Sequence, residues 1–324
     1  MCKYILLLPA YKPNYLMAAL KSIFAQTYND FKVIVSDDCS PYNLHGIVAP
    51  FIEKYGDGKI TYRRNEKNIG GENLVDHWNL LVDQCDSEYL IMASDDDMYT
   101  PRFLEIVDDL SKKYPQVDVI RTRIQLINEK DEVSTKEDIF EEYQTGLEAT
   151  FSIFCGRYLG CIGNYVFRTK ALKSRGGFVN LPYAWFSDLL TVVSVLENGQ
   201  ANSHDILFSF RLSGINISDT SKNRAVDRGK LKATIGYDKY MSYVVSKWTA
   251  PKNLYERTMQ QGIISAFKHR AYSQAGDYSW ATPICQWRKI YNSMKAQPYF
   301  SKGSFLKYFG ESVFNRWFAR FAEK

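Results

Sequence analysis

Three short apolar runs, Tyr4–Leu8, Phe31–Val35 and Tyr89–Ala93, each stop abruptly at polar or acidic residues, and this constrains the fold more than any other feature. The first run leads into Pro9-Ala10-Tyr11, the second into Ser36-Asp37-Asp38-Cys39-Ser40, and the third into Ser94-Asp95-Asp96-Asp97. Runs this short and this apolar read as strands buried on both faces. The stretches between them carry apolar residues at helical spacing, as in Tyr15–Phe24 (Leu16, Ala19, Leu20, Ile23), Leu44–Tyr55 and Leu74–Cys85. Lys59–Arg63 reads as a further extended segment. Strands alternating with crossover helices predict an α/β fold with a mixed, largely parallel sheet flanked by helices. Ligands of such sheets bind beyond the carboxyl ends of the strands, so the acidic groups are expected to gather along one edge.

Three adjacent carboxylates at 95–97 repel one another, and a divalent cation is one way to hold them together. Hard oxygen donors suit Mg²⁺ or Mn²⁺. A solvated acidic turn or a helix N-cap ahead of Pro101 is the other reading. Asp37-Asp38 has the same two readings, a ligand-facing pair or turn chemistry. Asp188 stands just before the apolar run Leu189–Leu196 and also fits a helix cap. Tyr183, Trp185 and Phe186, directly upstream, suit either an apolar platform for a ligand or the core. Arg168 and Arg211 suit phosphate contacts or internal ion pairs. The histidines at 77, 204 and 269 have no partner spacing and are taken as structural.

The net charge of +5 conceals an asymmetry: residues 222–324 carry 19 Lys/Arg against 6 Asp/Glu, leaving the front of the chain net acidic. Phe305, Phe309, Val313, Trp317 and Phe321 recur every four residues among Lys302, Lys307, Arg316, Arg320 and Lys324. That pattern fits an interfacial helix on an anionic membrane, or a helix packing its stripe onto the protein. The six cysteines are scattered without metal-ligand spacing, no apolar run approaches the ~18–20 residues of a spanning helix, and no signal sequence is evident. A reduced, cytoplasmic chain, peripheral on the inner face of a membrane, is the expectation. Residues 128–148 are expected to form an acidic loop or flap, and no nucleic-acid motif is present, so no nucleic-acid partner is expected.

The ordered segments resemble a family 2 inverting glycosyltransferase of the GT-A fold, of the type that builds bacterial cell-surface polysaccharides. The resemblance is carried by Pro9-Ala10-Tyr11, Leu20–Ile23 with Gln26-Thr27-Tyr28, Val33–Ser40, Asn65–Gly71 with Asn79, Glu88–Asp97 with Pro101, Phe167-Arg168, Gly176-Gly177-Phe178, Asp188 and Phe210–Gly214. It covers about residues 1–218 and implies a nucleotide-sugar-binding catalytic domain there, followed by a basic, aromatic-rich helical region over 219–324. It further implies that Pro9, Ala10 and Tyr11 line the nucleotide pocket and that Asp37 accepts from uracil with Asp38 near the ribose. Asn68 and Gly70 would lie on the loop approaching the nucleotide. Asp95 would sit near the ribose, Asp96 would be the principal ligand of a Mn²⁺ or Mg²⁺ ion, and Asp97 would approach the donor sugar. Asp188 would be the general base. Tyr183, Trp185, Arg168 and Arg211 complete the candidate donor-sugar and acceptor contacts. Relative to many such proteins, Ser94 replaces an Asp, Trp78 an Arg, and Ser187 a Glu. The implied reaction moves a sugar from a nucleotide-sugar, UDP-linked, to a glycan or lipid-linked hydroxyl. A nucleotidyltransferase acting on sugar phosphates, or a non-catalytic nucleotide- or membrane-binding protein, are the alternatives, the former disfavoured because Pro9–Pro13 contains no glycine.

Overall fold

A computed structural model describes residues 2–214 and 223–322. Its centre is a mixed ten-stranded sheet. Strands β1 (Tyr4–Ala10), β2 (Phe31–Asp37), β3 (Ile60–Arg64) and β4 (Tyr89–Met92) run parallel in the order β3-β2-β1-β4. The helices α1 (Leu16–Phe24), α2 (Leu44–Tyr55) and α3 (Gly70–Asp83) make the crossovers between them. After β4 come β5 (Met98–Tyr99), α4 (Phe103–Lys113), β6 (Val119–Ile127), β7 (Val133–Lys136), β8 (Tyr143–Gln144) and α5 (Gly146–Phe154). Then follow β9 (Tyr165–Arg168), α6 (Thr169–Ser174), α7 (Ser187–Ser194) and β10 (Gln200–Arg211). Antiparallel β9 is inserted between β4 and β6, and β10 pairs parallel with β6.

Alternation along the central strands explains their unbroken apolar character. Ile5 and Leu7 of β1, with Leu90 and Met92 of β4, enter one core, whereas Tyr4, Leu6 and Leu8, with Tyr89 and Ile91, enter the other. Both faces of β1 and β4 are covered, which accounts for side chains that are apolar on either side. One core is completed by α1, α2 and α4. The other is shared by α3, α5 and α7 with four further helices, α8 (Arg224–Ser246), α9 (Leu254–Ser279), α10 (Trp287–Lys295) and α11 (Lys302–Ala322). The expected boundary at 218/219 lies outside the described residues.

Two expectations change in detail. The 128–148 segment is not a free flap: β7 and β8 pair with β6 and β10, and Glu137 is buried against Arg121. On α11 the expected stripe divides. Phe305 and Phe309 are buried among Tyr272, Tyr291 and Trp287, while Leu306, Phe314 and Phe318 remain 58–59% exposed beside exposed Lys302 and Lys307. Phe305 and Phe309 turn inward because α9 and the neighbouring α10 offer them a ready apolar surface. The side chains of Trp317 and Phe321 lie outside the described residues. Among the described residues no helix is long and apolar enough to cross a membrane.

Candidate active site

The carboxyl ends of β1, β2 and β4 open into a cleft of about 710 Å³. Pro9, Ala10 and Tyr11 form one edge of it, and Asp95, Asp96 and Asp97 its acidic floor. The first and last of these strand ends are tied together, because the Tyr11 and Lys12 amides each donate to Asp95 Oδ2 at 3.0 Å. Burial, reinforced by the neighbouring charge of Asp96, pushes the Asp95 carboxyl up to about 6, and the two amides oppose that rise.

At the end of β2 the two adjacent carboxylates part company. Asp38 lines the cleft and caps the start of α3, accepting from the Ile69 and Gly70 amides at 2.9 and 2.6 Å and from Asn65 Nδ2 at 2.8 Å. A carboxylate is favoured at a helix N-terminus. Asn68 Nδ2 closes the loop by donating to the Asp38 carbonyl at 3.2 Å, and Asn68 and Gly70 line the cleft. Asp37 does not reach the cleft, contrary to the expectation that it contacts the uracil. Its side chain faces β3, accepting from Tyr62 at 2.5 Å, Arg64 Nη1 at 2.6 Å and the Ser40 amide at 2.7 Å, and it is wholly buried. His77, read from sequence as structural, also lines the cleft, with Nε2 2.8 Å from Ser36 Oγ and Nδ1 3.9 Å from Asp38. Burial lowers its pKa and favours the neutral ring. Helical spacing from the 65–71 loop could not have found it, because Asn73, between Gly70 and His77, has non-helical backbone angles (φ −123°, ψ 59°) that break the periodicity.

The three carboxylates after β4 have different surroundings. Asp96 is half-buried and accepts from the Ser94 hydroxyl. Asp97 is buried, accepts from the Arg211 amide at 2.9 Å, and lies 3.8 Å from the Cys161 thiol. Burial raises its pKa well above the carboxylate range, helped by the charge on Asp96. Arg211 lies beneath this acidic turn, which corrects its expected contact with donor or acceptor. Its guanidinium donates to the Asp96 and Asn128 carbonyls at 2.8 and 3.1 Å, pairs with Asp131 and stacks on Tyr15. Arg168 is a clearer correction. Antiparallel β9 places it beside Tyr89, the first residue of β4, at the opposite end of the sheet, where it pairs with Glu88 and Asp118.

Among the described residues no three His, Cys, Asp or Glu side chains converge as a preformed metal cage. The donor set fits a divalent ion of another kind, one held by a single carboxylate and completed by substrate phosphates and water. Asp96 fits this best: Asp95 and Asp97 each hold backbone amides, whereas Asp96 accepts from the Ser94 hydroxyl, a donor that can rotate away.

Asp188 closes the far wall as the second residue of α7. It accepts from the Leu189 amide at 2.8 Å, and burial raises its pKa, with the charge of Arg270 opposing. Tyr183, Ala184, Trp185 and Phe186 precede it along the same wall. Gly160, Cys161 and Ile162 line the cleft as well, and no sequence pattern marked them. The cleft therefore has an acidic floor and, across from it, an aromatic wall that carries the Asp188 carboxylate. That arrangement can take a proton from a hydroxyl next to a bound anion.

A sequence model described as "Glycosyl transferase family 2" matches residues 6–176. The chain is 32% identical over 106 residues to the succinoglycan biosynthesis protein ExoW of Rhizobium meliloti, and 30% identical over 88 residues to the putative colanic acid biosynthesis glycosyl transferase WcaA of Escherichia coli. These stretches cover 32% and 27% of the chain and only 32% and 30% of the relatives' own lengths. Among solved structures, S. aureus TarS 1-349 in complex with UDP-GlcNAc superposes with a TM-score of 0.58 at 16% identity, covering 91% of this chain and 90% of that one. Pyrobaculum calidifontis mannosyltransferase PcManGT, with GDP-Man and Mn²⁺, gives 0.55 at 13% identity, covering 97% and 87%. These likenesses place the mixed, largely parallel sheet in the GT-A fold.

Proposed function

The chain belongs to glycosyl transferase family 2, and from that premise we propose that it is an inverting glycosyltransferase using a UDP-linked sugar and a glycan or lipid-linked acceptor. One observation carries the reading: Asp188 and the strand-end carboxylates Asp38, Asp95 and Asp96, distant in sequence, line a single cleft. The diphosphate lies over the acidic floor, where a divalent ion, Mn²⁺ or Mg²⁺, held by Asp96 would neutralise the charge of the leaving group. Pro9, Ala10 and Tyr11 frame the nucleoside, and Asp38 takes the role that Asp37, turned toward β3, is not placed to fill. Tyr183 and Trp185 offer their faces to the acceptor sugar. Asp188 removes the acceptor proton as the hydroxyl oxygen bonds to the anomeric carbon, the bond to the diphosphate breaks, and the configuration inverts in a single displacement.

Titrating UDP and nucleoside triphosphates, with and without Mn²⁺, tests the donor side. Metal-dependent UDP binding is the expected result. A preference for triphosphate would favour a nucleotidyltransferase acting on sugar phosphates and overturn the proposal.

The same reading puts the enzyme on an anionic membrane surface through α11, with Leu306 and Phe314 entering the interface beside Lys302 and Lys307. Burying an apolar side chain of this size contributes about 1.5–3 kcal/mol, so Leu306→Ser with Phe314→Ser should weaken binding to anionic vesicles by at least ~10-fold. Vesicle pelleting measures this. Equal pelleting of the variant and the parent would remove membrane docking from the proposal.

A further inference from the structure

We propose that Gly229 of α8 is a positioning residue for catalysis, one that lets α8 hold the strained turn before Asp188, with Gln274 of α9 bracing the same turn. The inference rests on the reading of Asp188 as the base. Tyr183, Ala184 and Phe186 have φ values of 57, 53 and 70°, in the left-handed region that bulky side chains avoid. Such a backbone persists only where its surroundings over-determine it. Within the turn the Leu181 amide donates to Ser187 Oγ at 3.2 Å, and the Ala184 and Trp185 amides donate to the Leu181 and Pro182 carbonyls at 3.0 and 3.1 Å.

α3 packs against the turn from one side, and further constraints come from far along the chain. Tyr237 stacks on Phe186 with ring centroids 4.3 Å apart. The Lys230 ammonium sits 4.3 Å from the Trp185 ring, and Gln274 Oε1 accepts from Trp185 Nε1 at 2.8 Å. Gly229 and Gly236 complete the contact. They are seven residues apart, as are Lys230 and Tyr237, so all four share one face of α8. A Cβ on Gly229 would fall 2.1 Å from Tyr183 Cε2 and 2.4 Å from its Cδ2. A Cβ on Gly236 would fall 2.7 Å from Leu181 Cδ2. The second clash is with a terminal methyl that can rotate away. The first is with a ring already held by its own left-handed backbone, so relief has to come from moving the turn. Phe186 leads directly into Ser187 and Asp188, and a displacement there reaches the base within two residues.

The test uses the full chain and three single variants. Gly229→Ala should lower kcat by roughly 100-fold, the effect of about a 1 Å misplacement, while UDP affinity in the presence of Mn²⁺ stays at the parent value. Amide hydrogen exchange across residues 181–190 should accelerate in the same variant. Gly262→Ala is the control: its Cβ would crowd the Phe151 ring at 2.7 Å, away from the turn, so it should cost stability but leave kcat near the parent value. Gln274→Leu removes the Trp185 hydrogen bond without crowding α8 and should lower kcat by about 10-fold if Gly229→Ala proves too unstable to purify. Equal losses of kcat in Gly229→Ala and Gly262→Ala, or unaltered exchange across 181–190, would overturn the inference. Failure of the parent chain to bind UDP would instead overturn the functional reading, and the exchange measurement would still decide whether α8 holds the turn.

Discussion

Replacing Asp188 with Asn is expected to lower turnover by roughly 10²–10⁴-fold, the usual cost of a lost general base, with UDP affinity almost unchanged. Asn keeps the shape and can still accept from the Leu189 amide, so α7 should start where it does now. What is lost is the ability to hold a proton. The expected pH dependence follows from the same group. Asp188 acts only when ionised, and burial raises its pKa. The rate of the parent enzyme should therefore fall as pH drops through that raised value, at a higher pH than an exposed carboxylate would give. The Asn variant should lack that limb in its kcat profile. Steady-state kinetics across pH, paired with UDP titration, measures both effects. Parent-level turnover in the variant would show that another group takes the proton.

The chain disclosed its sheet more readily than its side-chain contacts. Apolar runs as unbroken as those of β1 and β4 have one physical explanation, burial on both faces, and the α/β architecture follows from it. The gathering of Asp38, Asp95 and Asp96 at one edge was legible for the same reason, since parallel strands end together. The fates of Asp37 and Asp38 were not. They are adjacent and chemically identical, and Tyr62 and Arg64 of β3, with the Ser40 amide, hold Asp37 away from the cleft. Arg168 and Arg211 pose a similar problem, as each follows an aromatic residue at the end of an apolar run. Strand direction separates them: β9 runs against β4 and carries Arg168 away, while β10 brings Arg211 beneath the acidic turn. On α11 the period announced an apolar stripe but not its partner, and α9 and α10 decided which residues turned inward.

Glu137 was equally hidden, in a run of acidic residues that reads as solvated loop, and its loss should have the largest effect on stability. Glu137 and Arg121 are each 1% exposed at the side chain and form an ion pair, with the guanidinium 3.8 Å from the face of Tyr158. Removing one partner of a buried pair leaves an uncompensated charge, so Glu137→Ala should destabilise the protein by about 3–5 kcal/mol in denaturant titration. Replacing both residues by methionine should recover most of that loss, because a well-packed apolar pair avoids the desolvation of two ions. A loss below about 1 kcal/mol in the single variant would mean that water reaches Arg121 and the pair is not sealed. The consequence extends to the cleft. Glu137 Oε1 also accepts from the Leu159 amide at 2.7 Å, anchoring the chain just before Gly160, Cys161 and Ile162 enter the cleft wall. Cys161 in turn abuts Asp97. In the double methionine variant the fold should return while this anchor stays missing, so substrate affinity should remain weakened after stability has recovered. That separation would identify Glu137 as a carboxylate that both neutralises buried Arg121 and fixes the wall beside the acidic floor.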